Sequence, residues 1–329
     1  MSGSQAHPFD RLTPDFILDA LEDIGLRGDG RLLPLNSYEN RVYQVGMEQA
    51  DSLIVKFYRP ERWSMAALQE EHAFVAELRD AELPVVAPVK VAGQSLFEHG
   101  GFYFAVYPRQ GGHWPELNQS ADRQQVGRLL GRLHLIGQRY FFSARPRLSI
   151  KNWAIDSRRY LLEQDWIPTH LLSAYRSVSR DLIELMQSGW DELNHVRLFR
   201  LHGDCHLGNL LWHPNTGLHF VDFDDCLTGP AIQDLWMLVS GSRQDQKQQL
   251  GELLSGYTQF ADFDYSELRL IEILRALRLM HYAAWLARRW DDPAFPRAFP
   301  WFAEPKFWEQ HVLDLREQLS VIQEPAFDL

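Results

Sequence analysis

Three side chains between Leu201 and Asp225 have types and spacing that could do chemistry together: Asp204, Asn209 and Asp222, in LHGDCHLGNLLWHPNTGLHFVDFDD. Asp204 and Asn209 share a tight loop with Gly203 and Gly208. A short apolar run, Leu210 to Trp212, follows it. Then come the turn residues His213-Pro214-Asn215-Thr216-Gly217 and a second apolar run, Leu218 to Val221, which delivers Asp222. Two β-prone runs around a turn with Pro and Gly predict a hairpin. A hairpin returns the chain on itself and sets Asp222 beside Asn209. A carboxylate and an amide oxygen are hard ligands suited to Mg2+, which takes few protein ligands and completes its shell with water and substrate phosphates. Asp204 is left as a base or positioning group for an acceptor hydroxyl.

The pattern H-G-D-x-x-x-x-N followed by an apolar-D-x-x-D segment resembles the aminoglycoside phosphotransferase and choline kinase branch of the protein-kinase-like fold. Gly203 stands where that loop usually has Arg, and Asp222-Phe223-Asp224 stands where protein kinases have Asp-Phe-Gly. Longer runs resemble the bacterial stress response kinase family within that branch. They are Pro34-Leu35-Asn36-Ser37-Tyr38-Glu39-Asn40-Arg41-Val42-Tyr43, Val55-Lys56-Phe57-Tyr58-Arg59-Pro60-Glu61-Arg62-Trp63 and Gly229-Pro230-Ala231-Ile232-Gln233-Asp234-Leu235-Trp236-Met237. The resemblance covers nearly the whole chain. It implies an α+β, bilobal fold with a small β-rich N-lobe and a large, mainly helical C-lobe. It also implies ATP as phosphoryl donor, Mg2+ on Asn209 and Asp222, and catalysis by Asp204 and Asp222.

The elements that must position these groups can be taken in order. Thr13-Pro14-Asp15 opens a capped helix that stops at Gly25. Leu32 to Val45 reads as two strands around the polar turn Asn36 to Asn40, which the resemblance places over the nucleotide phosphates. Protein kinases use glycines there, and this turn has none; Ser37, with Asn36, offers donors instead. Ser52 to Tyr58 is a strand by its β-branched and aromatic content. Lys56 interrupts it at the place of the family's nucleotide lysine. A helix over 64–83 carries the apolar stripe Ala67, Leu68, Phe74, Val75 and Leu78. By the resemblance one of its acidic residues pairs with Lys56. Glu71 is the expected one and Glu70 the alternative, the remaining acids forming a solvated face.

Phe102 to Tyr107 is a further strand. The change of texture after Pro108 divides an N-lobe, residues 1–108, from a C-lobe, residues 109–329. Helical spacing returns in 120–140 and again in 160–162 and 171–186, with His134 on the first as a structural hydrogen-bonding residue. A helix is expected from Ala231, and Asp234 is expected to hold the catalytic loop. The segment after Asp225 is too short for a phosphorylation-controlled activation loop. Glu267 to Trp290 is a long helical run with an apolar side and a side bearing Arg275, Arg278, His281, Arg288 and Arg289, which either walls an acceptor pocket or faces solvent.

Composition bounds the rest. A chain of 329 residues with 45% hydrophobic content can build two lobes with real cores. The net charge of −11 lacks the basic footprint of a nucleic-acid binder. No long apolar run predicts a membrane span, and the opening MSGSQAHPFDRL has no leader pattern. Two cysteines, Cys205 and Cys226, give no disulfide framework and fit a reducing, cytoplasmic setting; a redox-sensing pair is the speculative alternative. A zinc site from Asp204, His206 and Asp222 explains less of the chain than the kinase reading. The resemblance points to a serine/threonine protein kinase, acting on protein substrates and expected to be a monomer. The alternatives are a small-molecule kinase of homoserine, choline or aminoglycoside type, and a nucleotide-binding pseudokinase.

Overall fold

The computed structural model describes residues 8–193 and 195–329. The stretch MSGSQAH, on which the expectation about a leader falls, lies outside the described residues. The chain forms two compact units. One comprises Met1–Glu116, Phe142–Arg145 and His206–Cys226; the other comprises Leu117–Phe141, Pro146–Cys205 and Leu227–Leu329.

In the first unit, helix α1 (Pro14–Asp23) begins at the Thr13 cap, whose hydroxyl accepts the Phe16 N–H, and ends before Gly25 at φ +82°. A five-stranded antiparallel sheet follows: β1 (Gly28–Leu35), β2 (Arg41–Met47), β3 (Leu53–Phe57), β4 (Phe97–His99) and β5 (Phe102–Pro108), in the order β1-β2-β3-β5-β4. Strand alternation decides what Lys56 faces. Val55 and Phe57 enter a core with Ile17, Leu21, Phe102 and Phe104. Lys56, between them, points to the other face, in register with Val42 and Ala105. There Ala105 packs with Tyr58 and with Leu68 of helix α2 (Met65–Asp80). Leu68, Glu71, Val75 and Leu78 share one buried stripe of α2, so Glu71 is carried inward by the spacing of its apolar neighbours. The predicted hairpin is present: Leu210–His213 pairs with Gly217–Phe220, from Leu210 opposite Phe220 to His213 opposite Gly217. Backbone bonds between Phe220 and both Pro84 and Val86 anchor it.

In the second unit, α3 (Ser120–Gly137) buries Val126, Leu130, Leu133 and Ile136. It packs on α6 (Arg243–Tyr257) so closely that a Cβ at Gly127 would lie 1.9 Å from the Leu253 carbonyl oxygen. Helices α4 (Asp156–Glu163), α5 (Leu172–Asp191), α7 (Ile271–Arg288), α8 (Ala294–Ala298) and α9 (Pro305–Val321) complete it. A short antiparallel pair, Phe199–Leu201 with Leu227–Gly229, leads into and out of the loop stretch. The helix expected from Ala231 is not formed: only 3-10 turns, Ala231–Asp234 and Trp236–Leu238, are found. The turns close from i to i+3, Gln233 N–H on the Pro230 carbonyl and Leu235 N–H on that of Ile232, and the Gln233 and Asp234 side chains they present are spent on the backbone of His202 and Gly203. Likewise a 3-10 turn, Tyr265–Leu270, precedes α7 where a continuous helix was expected. No helix among the described residues is long and apolar enough to cross a membrane.

Candidate functional site

The first unit gathers a dense set of charges around Lys56. The lysine is buried, and its Nζ lies 2.9 Å from Asp222 Oδ1 and 3.2 Å from Asp224 Oδ1. Burial alone would favour neutral lysine; Asp222, Asp224 and Glu71 outweigh it and raise its pKa well above the ordinary value. Asp224 is only 4% exposed and also pairs with Arg62, whose other amine reaches Asp225 Oδ1 at 2.5 Å. Burial works against its charge, yet Arg62, Lys56 and Arg145 hold its carboxyl well below the usual carboxylate range. Asn40 ties the turn to this group: its Nδ2 donates to Asp224 Oδ2 at 3.1 Å and its Oδ1 accepts the Arg59 N–H at 3.0 Å. Ser37 sits half-buried in that turn between β1 and β2.

Glu71 differs from expectation. Its nearest cation is Arg145, at 3.8 Å, and it acts on Lys56 only through its charge. Burial pushes its pKa up, with Lys56 pulling against it. The ion pair expected from α2 is supplied instead by Asp222 and Asp224. Glu70 does different work, its carboxylate accepting the backbone N–H groups of Ser143, Ala144 and Arg145.

Asp222 ends the hairpin at φ +57°, a left-handed conformation that a non-glycine residue adopts at a cost. The Val221 N–H donates to the Asn209 carbonyl at 3.0 Å, so the hairpin does bring Asp222 back to Asn209. The Asp222 side chain is 54% exposed, in contrast to Asp224.

The second unit holds Asp204. Its backbone is set by Asp234, fully buried, which accepts the N–H groups of His202 and Gly203 at 2.8 Å each. Gln233 donates to the Gly203 carbonyl at 2.8 Å. Gly203 has φ +87°, where a side chain would be strained, which accounts for glycine in place of the usual arginine. His134 is the structural residue the sequence suggested: its Nε2 donates to Asp234 at 3.1 Å, leaving Nδ1 to accept the Tyr257 hydroxyl at 2.9 Å. Asp234 thus holds the loop as expected. Asp204 Oδ1 accepts from Arg278 Nη1 of α7 at 2.8 Å. Cys205 and Cys226 are both buried, and burial pushes both thiols up, which disfavours thiolate chemistry.

Sequence reasoning missed the roles of Asp224, Arg62 and Arg145. The run Arg59-Pro60-Glu61-Arg62-Trp63 was noticed, but nothing local says that its arginine closes on a carboxylate 162 residues away.

Residues 31–271 match the model of the APH phosphotransferase enzyme family. The chain is 45% identical over 326 residues to stress response kinase A of Escherichia coli strain K12, covering 99% of this chain and 98% of that one. It is 42% identical over 324 residues to the serine/threonine protein kinase RdoA of Salmonella typhimurium, covering 98% of each. Among solved structures, an amicoumacin kinase with AMP-PNP and Ca2+ superposes with a TM-score of 0.72 at 18% identity, over 94% of each chain. A microcompartment-associated aminopropanol kinase gives 0.70 at 18% identity, over 94% of this chain and 97% of that one. These two likenesses concern the fold: mixed α+β and kinase-like. The chain belongs to the stress response kinase A family of the APH phosphotransferases, and it is a kinase.

Proposed function

We propose that this kinase transfers the γ-phosphoryl group of ATP, with Mg2+, to the hydroxyl of serine or threonine in a protein acceptor. The observation that carries the proposal is the charge cluster of the first unit. A buried lysine is held by two carboxylates of unlike exposure, the more exposed one at the end of a hairpin beside Asn209.

The donor set fits a hard divalent cation. Asn209 and Asp222 present oxygen ligands, and Asp222 is open enough to exchange Lys56 for a metal while Asp224 keeps the lysine anchored. Bound there, Mg2+ would neutralise charge on the donor phosphates. Lys56 supplies a further positive charge to those phosphates, and the Ser37 turn supplies donors. Asp224, with Glu71 behind it, keeps the lysine protonated. Asp204 orients the acceptor hydroxyl and takes its proton. Phosphoryl transfer asks for little beyond this positioning and charge neutralisation.

The protein acceptor is favoured by the name of the Salmonella relative. A small-molecule acceptor is the second reading, since the superposing kinases are named for amicoumacin and aminopropanol. Arg278 beside Asp204 disfavours amine acceptors of that kind. A monomer in a reducing, cytoplasmic setting belongs to the same proposal.

The test follows label from γ-labelled ATP, with Mg2+, onto the protein itself, onto acidic and basic generic proteins, and onto a panel of small hydroxyl compounds. Wild type is run beside Asp204→Ala. Label on serine or threonine that depends on Asp204 is the expected result. Label confined to one small compound would replace the protein acceptor, and ATP binding without transfer to anything would overturn the assignment of a working base.

A further inference from the structure

The pairing of Arg278 with Asp204 says something about the acceptor. Helix α7 is anchored by a buried apolar face that includes Leu274, Leu277 and Met280, so Arg278 projects from a fixed backbone. Its Nη1 donates to Asp204 Oδ1 at 2.8 Å. Among the described residues its guanidinium has no other partner, and its side chain is 41% exposed. A guanidinium is a planar fork of five N–H donors, so most of this one is unspent. The other α7 arginines with defined partners are engaged differently: Arg275 with Glu272 and Gln246, and Arg288 with the Asp156 carbonyl and the Tyr160 ring. An ion pair this open contributes little to folding. What it does is set an unspent cationic fork beside the carboxylate that serves the acceptor.

The neighbouring positions on the same helix face carry no acid. Three and four residues on are His281, stacked on Trp153 at 4.9 Å, and Tyr282, stacked on Trp285 at 5.7 Å. Three and four residues back are Arg275 and Leu274. These positions offer an ammonium group no counter-charge and offer an anion a cation flanked by stacked rings. With a net charge of −11 the protein as a whole repels anions, so an anionic acceptor needs a local cation to dock.

We propose that Arg278 is a specificity-determining residue that reads an anionic group, carboxylate or phosphate, carried by the acceptor next to its reactive hydroxyl. This rests on the kinase function proposed above and names its substrate class: a serine or threonine flanked by acidic side chains, or a small hydroxy acid. The fork holds Asp204 with one N–H and takes the acceptor's anion with the others.

The experiment measures Asp204-dependent transfer to matched acceptors. One pair is a serine peptide flanked by Asp and Glu beside the same peptide with Asn and Gln. The other is glycerate beside glycerol. Wild type should prefer the acidic member of a pair. Arg278→Gln should lower kcat/KM for that member about 10- to 100-fold, chiefly through KM, as expected for losing a charged hydrogen bond. The neutral member should lose about 10-fold less than the acidic one, and in kcat rather than KM, because the same substitution also releases Asp204; Arg278→Lys should restore part of the preference. The KM for ATP should not move. Equal losses on both members, or a wild type indifferent to the anion, would overturn the role of Arg278 while leaving the kinase reading in place. Absence of Asp204-dependent transfer to every acceptor would overturn the kinase reading, and this inference with it.

Discussion

Buried carboxylates are used in opposite ways in the two units. In the first, Asp224 is surrounded by Lys56, Arg62 and Arg145, and its pKa is driven down despite burial. In the second, Glu267 is buried with no cation partner among the described residues. It accepts the Ile232 N–H at 2.8 Å, and burial raises its pKa to about 8. Asp234 likewise spends its oxygens on backbone N–H groups and on His134. The first unit balances side-chain charges against one another, an arrangement an incoming anion and cation can re-pair. The second uses carboxyl groups to fix backbone shape, and it leaves Asp204, with 25% of its side chain exposed, on a loop that has little freedom. The difference teaches that one residue type can serve as an exchangeable counter-ion or as a bracket, and that the partner decides which.

The largest effect should come from removing the counter-ion. Asp224→Ala leaves Lys56 and Arg62 buried without their shared carboxylate and should cost about 3 to 5 kcal/mol. Chemical denaturation of the full chain measures it. A loss below about 1 kcal/mol, the range of an exposed pair, would mean that the cluster is not the buried balance described. Next is the pH dependence of Glu267. A carboxyl whose pKa is raised on folding holds its proton more tightly in the folded state. Its contribution is therefore fully present below its ordinary value of 4.5 and lost as pH rises toward 8. Between pH 5 and 7.5 wild type should lose about 3 kcal/mol relative to Glu267→Gln, which keeps an acceptor oxygen but does not ionise. Parallel pH profiles of the two proteins would contradict the assignment. Smallest is Asp234→Asn, which turns an amide donor toward groups that are themselves donors and should cost about 2 kcal/mol. It should lower kcat more than ATP affinity, because it disturbs the Asp204 loop; the reverse order would break the contrast between the units.

Much of this was legible in the sequence because it is local. The turn between two apolar runs foretold the hairpin, and the spacing of Leu68, Val75 and Leu78 marked the buried stripe of α2; the pairing of Glu71 with Lys56, expected from the resemblance, is not formed. His134 and Asp234 were read as structural and loop-holding residues, and their hydrogen bonds agree. What was not legible is long-range. Arg62 meets Asp224, and Arg278 meets Asp204, across 162 and 74 residues, and no periodicity reports such pairings. The 3-10 turns after Pro230 belong to the same class, since the His202 and Gly203 N–H groups that Asp234 takes lie 32 and 31 residues back.

The most direct test separates the two proposed roles in one assay. Mg·ATP affinity and the rate of label transfer are measured for Asp204→Asn and for Asp222→Asn beside wild type. Asp204→Asn should bind Mg·ATP almost as wild type does but transfer about 100- to 10,000-fold more slowly. Asp222→Asn should lose productive Mg·ATP binding together with the rate. An Asp204→Asn protein that transfers phosphate at near wild-type speed would contradict the role given to Asp204.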